Sequence, residues 1–184
     1  MTTLIDVVDS AVKIGLGAAI SGLATYVTVV SKYKQDIQLE TLRREREILE
    51  EAAEYTEHFT NSVLRRWAVM TEMVRVRDRG GKISDELKEK AKDASSDVSN
   101  NANYLVNAEA KLLLLGYVES QNLLRNYGES AIQFVRRNWH VMADIDEAKL
   151  DELKSELLGM RRELFVSLSR EYRRLSSKKT DYPK

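Results

Sequence analysis

Cysteine is absent from the 184 residues. That excludes disulfides, thiolate zinc sites, iron–sulfur ligation and a cysteine nucleophile. Proline occurs once, at position 183, so no earlier residue carries the strongest helix breaker. Glycine is scarce, with 8 residues, and none lies between positions 23 and 79. Charge of one sign is also missing. The 29 Lys and Arg are balanced by 29 Asp and Glu, which removes the simplest electrostatic case for a nucleic-acid partner, and none is expected. No Gly-x-Ser-x-Gly is present, and the Gly80-Gly81 pair lacks the Lys-Ser/Thr of a phosphate-cradling loop. The expectation from these absences is a protein that is not an enzyme, with no catalytic residues and no cofactor.

What is present begins with an uncharged stretch, Ile14 to Ser31 (IGLGAAISGLATYVTVVS). At about 1.5 Å per residue this helix is roughly 27 Å long, close to the hydrocarbon thickness of a bilayer. A cleaved signal peptide fits less well, because Asp6 and Asp9 precede the stretch and a charged helix follows it without a break. A transmembrane anchor is therefore expected over residues 1–33. Positive charge concentrates after it, at Lys32, Lys34, Arg43, Arg44 and Arg46. The positive-inside rule then gives a single-pass inner-membrane protein with its C-terminal part in the cytoplasm. Small residues four apart (Gly15/Ala19, Gly17/Ser21, Ala18/Gly22) would let two membrane helices approach. Gly15, Gly17, Ala18, Ser21, Gly22 and Thr25 form the expected packing face, with a homo-oligomer as its consequence.

The chain then reads as helix throughout. The apolar positions run Leu39, Leu42, Leu49, Ala52, Thr56, Phe59, Val63, Trp67, Met70 and Val74, and from Leu49 they recur at steps of three and four, one face of a helix. Residues 40–58 are dense in Glu and Arg, which suits a solvated juxtamembrane helix or a short coiled coil. Gly80-Gly81 should stop this helix and Ser84 should cap the next, with Asp85 and Glu86 against the positive end of its dipole. The second helix carries Leu87, Ala91, Ala94, Val98, Leu105 and Leu112 and should end at Gly116. Ser120 is the expected cap of a third helix, and Asp144 or Asp146 of a fourth. Short connections favour antiparallel neighbours. The fold class expected is all-α: an N-terminal transmembrane helix continuing into a long helix, then an antiparallel up-down-up-down bundle over 34–175. A disordered basic tail is expected over 176–184.

Candidate sites are few. Glu54 and His58 share a helix face, but Tyr55 stands where a Glu-x-x-His metal motif would need its carboxylate, so no metal site is expected. Arg75, Arg77, Arg79 and Lys82 surround the glycine pair and read as ligands for helix-end carbonyls. In an antiparallel bundle the basic end of the fourth helix returns toward the bilayer. Arg170, Arg173, Arg174, Lys178 and Lys179 could then face anionic lipid, at about 1 kcal/mol per basic residue near the surface.

The segment Ala108 to Leu124 (AEAKLLLLGYVESQNLL) has an apolar helix end, a glycine and a helix restart. With the overall layout it resembles a diffuse group of uncharacterised bacterial single-span membrane proteins that have a charged juxtamembrane helix and a cytoplasmic helical bundle. The resemblance implies that architecture and no activity. The expected function is a membrane-anchored interaction or scaffold protein whose partners are membrane lipid and an unidentified cytoplasmic protein. The competing reading is a membrane-perturbing effector, a toxin or defence component, that oligomerises through its transmembrane helix.

Overall fold

The structure is a computed structural model. It describes the backbone of residues 4–140 and 145–178, and the side chains of residues 13, 21–136 and 145–177. All described elements are helices: α1 (Leu4–Asp78), α2 (Asp85–Leu114), α3 (Val118–His140) and α4 (Glu147–Lys178). No strand occurs among the described residues. The chain divides into two compact units, Met1–Arg44 and Glu45–Lys184.

The second unit is a four-helix bundle. Along α1, Glu51 pairs with Lys111 of α2, Arg65 with Asp97, and Arg66 with the carbonyl of Ala91. Rising numbers on one helix meet falling numbers on the other, so α1 and α2 are antiparallel. The same holds for α1 and α4, through Tyr172 on Glu50, Arg161 on Glu57, and Trp67 on the Leu150 carbonyl. Helix α3 completes the bundle. Gly128 lies so close to Leu105 of α2 that an added Cβ would stand 2.7 Å from its Cδ1.

The expected spacing holds at most positions from Leu49 onward, whereas Leu39 is exposed and Leu42 half-buried. Leu49, Ala52, Thr56, Phe59, Val63, Met70 and Val74 are all buried. Also buried are Ala91, Ala94, Val98, Leu105 and Leu112 from α2, Leu124, Tyr127, Ala131 and Phe134 from α3, and Leu150, Leu157, Leu164 and Leu168 from α4. Trp67 is only half-buried. Its indole N–H donates to the Leu150 carbonyl at 3.1 Å, and the Lys154 ammonium lies 3.6 Å from the ring centre. The ring therefore sits at the edge of the core, where it can serve both contacts.

Two helix ends close the same way. At the end of α1, Gly80 has φ of 70°, its N–H donates to the Arg77 carbonyl, and the Gly81 N–H reaches back to Val76. At the end of α2, Gly116 has φ of 73°, with Gly116 donating to Leu113 and Tyr117 to Leu112. This paired bonding needs a left-handed residue, which glycine adopts without a Cβ penalty. Ser84 caps α2, its hydroxyl accepting from the Leu87 N–H. Asp146 accepts from the Lys149 N–H at the start of α4. Asp144 lies outside the described residues.

One expectation needs correction and another lacks support. Ser120 is not a cap: α3 already begins at Val118, and Ser120 is buried inside it with its hydroxyl 2.8 Å from that of Ser167 on α4. The tight turn after α2 lets the helix restart three residues sooner than the serine signal implied. The transmembrane helix is likewise not supported, since among the described residues no helix is long and apolar enough to cross a membrane. The side chains of 14–20, including Gly15, Gly17 and Ala18, lie outside the described residues. Helix α4 continues to Lys178, and residues 179–184 lie outside the description.

Candidate interaction surfaces

In the first unit, residues 21–41 are solvent-exposed apart from Val30, which is half-exposed. Of the expected packing face, Ser21, Gly22 and Thr25 are described. All three are exposed, and nothing lies within 4 Å of a Cβ built on Gly22. The hydroxyls of Thr25 and Thr28 donate to the Ser21 and Ala24 carbonyls at 2.8 Å. Each hydroxyl is thereby satisfied within its own helix, as polar groups on helices often are.

In the second unit a cavity of about 400 Å³ lies beside the α2–α3 turn. Glu45, Tyr117, Glu119, Glu171 and Arg174 provide its polar lining. The Tyr117 phenol is held above its usual pKa, chiefly by burial and then by the carboxylates of Glu45 and Glu171, with Arg174 opposing. Exposed Leu113, Leu114 and Val118 stand on the same turn. The cavity can donate and accept hydrogen bonds and balance a cation.

The basic residues expected to face lipid are partly engaged. Arg170, Arg173 and Arg174 are exposed. Arg170 lies 3.4 Å from Glu119, Arg173 donates to Ser169, and Arg174 lies 3.7 Å from Glu171. The side chain of Lys178, and all of Lys179, lie outside the described residues. At the other end of the bundle, Arg77 donates to the Ile145 carbonyl at 2.7 Å and Arg75 pairs with Glu147 at 2.5 Å. Arg75 and Arg77 thus tie the end of α1 to the start of α4, one through a carboxylate and one through a carbonyl.

His58 is exposed and stacks on Tyr104 with ring centres 5.2 Å apart, while Glu54 lies 3.5 Å from its Nε2. Among the described residues no three His, Asp or Glu side chains gather as a metal site. The bundle interior contains polar pairs that sequence spacing did not reveal. Thr60 and Tyr127 share a 2.8 Å hydrogen bond, and Arg66 is fully buried with Nη1 donating to the Ala91 carbonyl at 3.2 Å. Burial lowers the Arg66 pKa. Arg66 follows Val63 and precedes Met70 at core steps, and that spacing was the available signal. Such buried polar pairs constrain which helix faces meet. Comparisons with protein-family models, curated proteins and solved structures find no match for this chain.

Proposed function

We propose that this chain is a non-enzymatic, membrane-anchored interaction protein that presents a helical bundle to the cytoplasm. The observation that carries the reading is the pairing of an uncharged stretch, Ile14–Ser31, with large apolar side chains left in the open at its described end. Leu23, Tyr26, Val27 and Val29 are all exposed. Apolar groups of this size in water forfeit roughly 1.5–3 kcal/mol each relative to burial, so a covering phase or partner is favoured. The internally bonded hydroxyls of Thr25 and Thr28 remove one obstacle to lipid. Lys32, Lys34, Arg43 and Arg44 after the stretch support a cytoplasmic bundle.

The bundle supports binding better than catalysis, because the cavity beside the α2–α3 turn is lined by ion-paired and hydrogen-bonding groups beside exposed leucines. An acidic cleft next to an apolar turn suits a cytoplasmic protein segment that combines a basic and an apolar side chain. The test is fractionation of the full chain. After high-speed sedimentation and an alkaline carbonate wash, the protein should stay in the membrane pellet. Recovery in the supernatant would overturn the anchor.

A further inference from the structure

Most exposed apolar side chains of the first unit follow one line along α1, with Leu39, 40% exposed at an outer position beyond its end, as the exception. Leu23, Tyr26, Val30, Tyr33 and Ile37 follow one another at steps of three, four, three and four. Leu23, Tyr26 and Tyr33 are 70%, 68% and 67% exposed. In heptad terms they take successive a and d positions, the seam that one helix offers another. The remaining large apolar residues of this stretch, Val27 and Val29, fall at the flanking e and g positions. The outer b, c and f positions are Ala24, Thr25, Thr28, Ser31, Lys32 and Gln35, all small or polar. In the sequence the same spacing runs back through Ala19, Leu16 and Val12, whose side chains lie outside the described residues. It stops after Ile37, where the next two seam positions are Glu40 and Arg44.

The geometry points to a second copy of this chain as the occupant of that seam, packed parallel and in register. A strict seven-residue apolar repeat fits a partner with the same repeat, because it keeps a left-handed pair in contact along its length. Two copies satisfy this by construction. In register, Leu23 meets Leu23 and Ile37 meets Ile37, and the seam ends where Glu40 would meet Glu40. Tyr33 and Ile37 lie beyond the uncharged stretch, so their burial would still be driven by water. The hydroxyl face bearing Thr25 and Thr28 lies opposite the seam and needs no interhelical partner. Pairing therefore uses the Leu–Tyr–Val face, with Gly22 flanking it and Ser21 and Thr25 outward. The parallel sense rests on the membrane-anchored reading, in which all copies share one orientation. The choice of face does not.

The absence of native cysteine makes the test direct. Single variants Val30→Cys and Tyr33→Cys on the seam, and Thr28→Cys and Gln35→Cys opposite it, are made in the full chain and oxidised with copper phenanthroline in membranes. Disulfide-linked dimer should form several-fold faster at 30 and 33 than at 28 and 35. Ile37→Glu, outside the uncharged stretch, should shift the detergent-solubilised chain from dimer to monomer mass. Equal rates at all four positions, or faster linkage at 28, would overturn the assignment. A chain that resists carbonate but shows no face preference would sink the pairing alone. A chain released by carbonate that still links at 30 and 33 would sink the anchor alone.

Discussion

Residues 21–44 and 45–78 belong to one helix and share one pattern of backbone hydrogen bonds, yet they treat apolar side chains in opposite ways. The later stretch buries Leu49, Phe59, Val63 and Met70 against three other helices. The earlier one leaves Leu23, Tyr26, Tyr33 and Ile37 in the open. Helix formation and helix packing are thus separate requirements. The first needs only the absence of breakers and adequate propensity, and the second needs a neighbour. The bundle supplies that neighbour within the chain for residues after 45. Residues 21–41 stand exposed apart from the half-exposed Val30, and a neighbour in lipid or in another copy is what the proposals above supply.

The contrast can be broken by matched truncations. Phe59→Ala removes a fully buried ring that stands edge-on to Tyr127 at 6.2 Å between centres. It should cost about 3–5 kcal/mol of bundle stability in a denaturant titration. Leu23→Ala should leave the same transition within about 0.5 kcal/mol. Equal losses would mean that the two stretches are stabilised together.

Gly128→Ala comes next. Its Cβ would meet Leu105 Cδ1 at 2.7 Å, and because that atom ends a flexible side chain the cost should be near the lower end of 1–3 kcal/mol. Gly22→Ala, where the added Cβ meets nothing, should leave bundle stability unchanged. Melting both variants side by side checks the pair.

Tyr127→Phe should cost about 1 kcal/mol by removing the bond to Thr60. It should also change the alkaline limb of stability. Burial holds the Tyr127 phenol above its usual pKa of 10.0 in the folded state. The unfolded chain therefore loses that proton first, and stability should fall as pH rises above 10.0 toward the folded pKa. The phenylalanine variant should show a flatter alkaline limb in pH-dependent melting.

The smallest effect concerns Arg75 and Glu147. The hydrogen bond and charge of Arg75 hold the exposed Glu147 carboxyl below its usual value of 4.5. A carboxyl lowered on folding stabilises above the unfolded value, and the contribution disappears as pH falls through the folded one. A slight acid-side decline that Arg75→Gln abolishes, read by melting on either side of pH 4.5, would support the pair. No difference between the variants would mean that solvent screens it completely.

The bundle core was legible because a long apolar face has only one arrangement that hides it. The steps from Leu49 to Val74 therefore predicted burial well, with Trp67 displaced by what its ring edge and face each bind. Ser84 and Asp146 were readable as caps because a hydroxyl or carboxylate before a helix has one obvious use. Ser120 misled for the same reason, since the preceding turn had already restarted the helix and freed the hydroxyl for Ser167. Arg65 and Arg66 show what adjacent identical residues conceal. One reaches Asp97 at the surface, while the other points inward to Ala91, and only the helical phase separates them. The seam from Leu23 to Ile37 was present in the spacing but masked by the uncharged residues around it, which drew attention to small residues instead.

One measurement separates lipid from every other cover for the first stretch. Thr28 faces away from the apolar seam, so a second copy packed on that seam leaves it open, whereas a bilayer does not. Thr28→Cys in the full chain, in sealed and then permeabilised membranes, is treated with a charged maleimide beside Glu54→Cys on the bundle surface. The account predicts that position 28 stays unlabelled in both while position 54 labels fully after permeabilisation. Rapid labelling at 28 before detergent is added would contradict it.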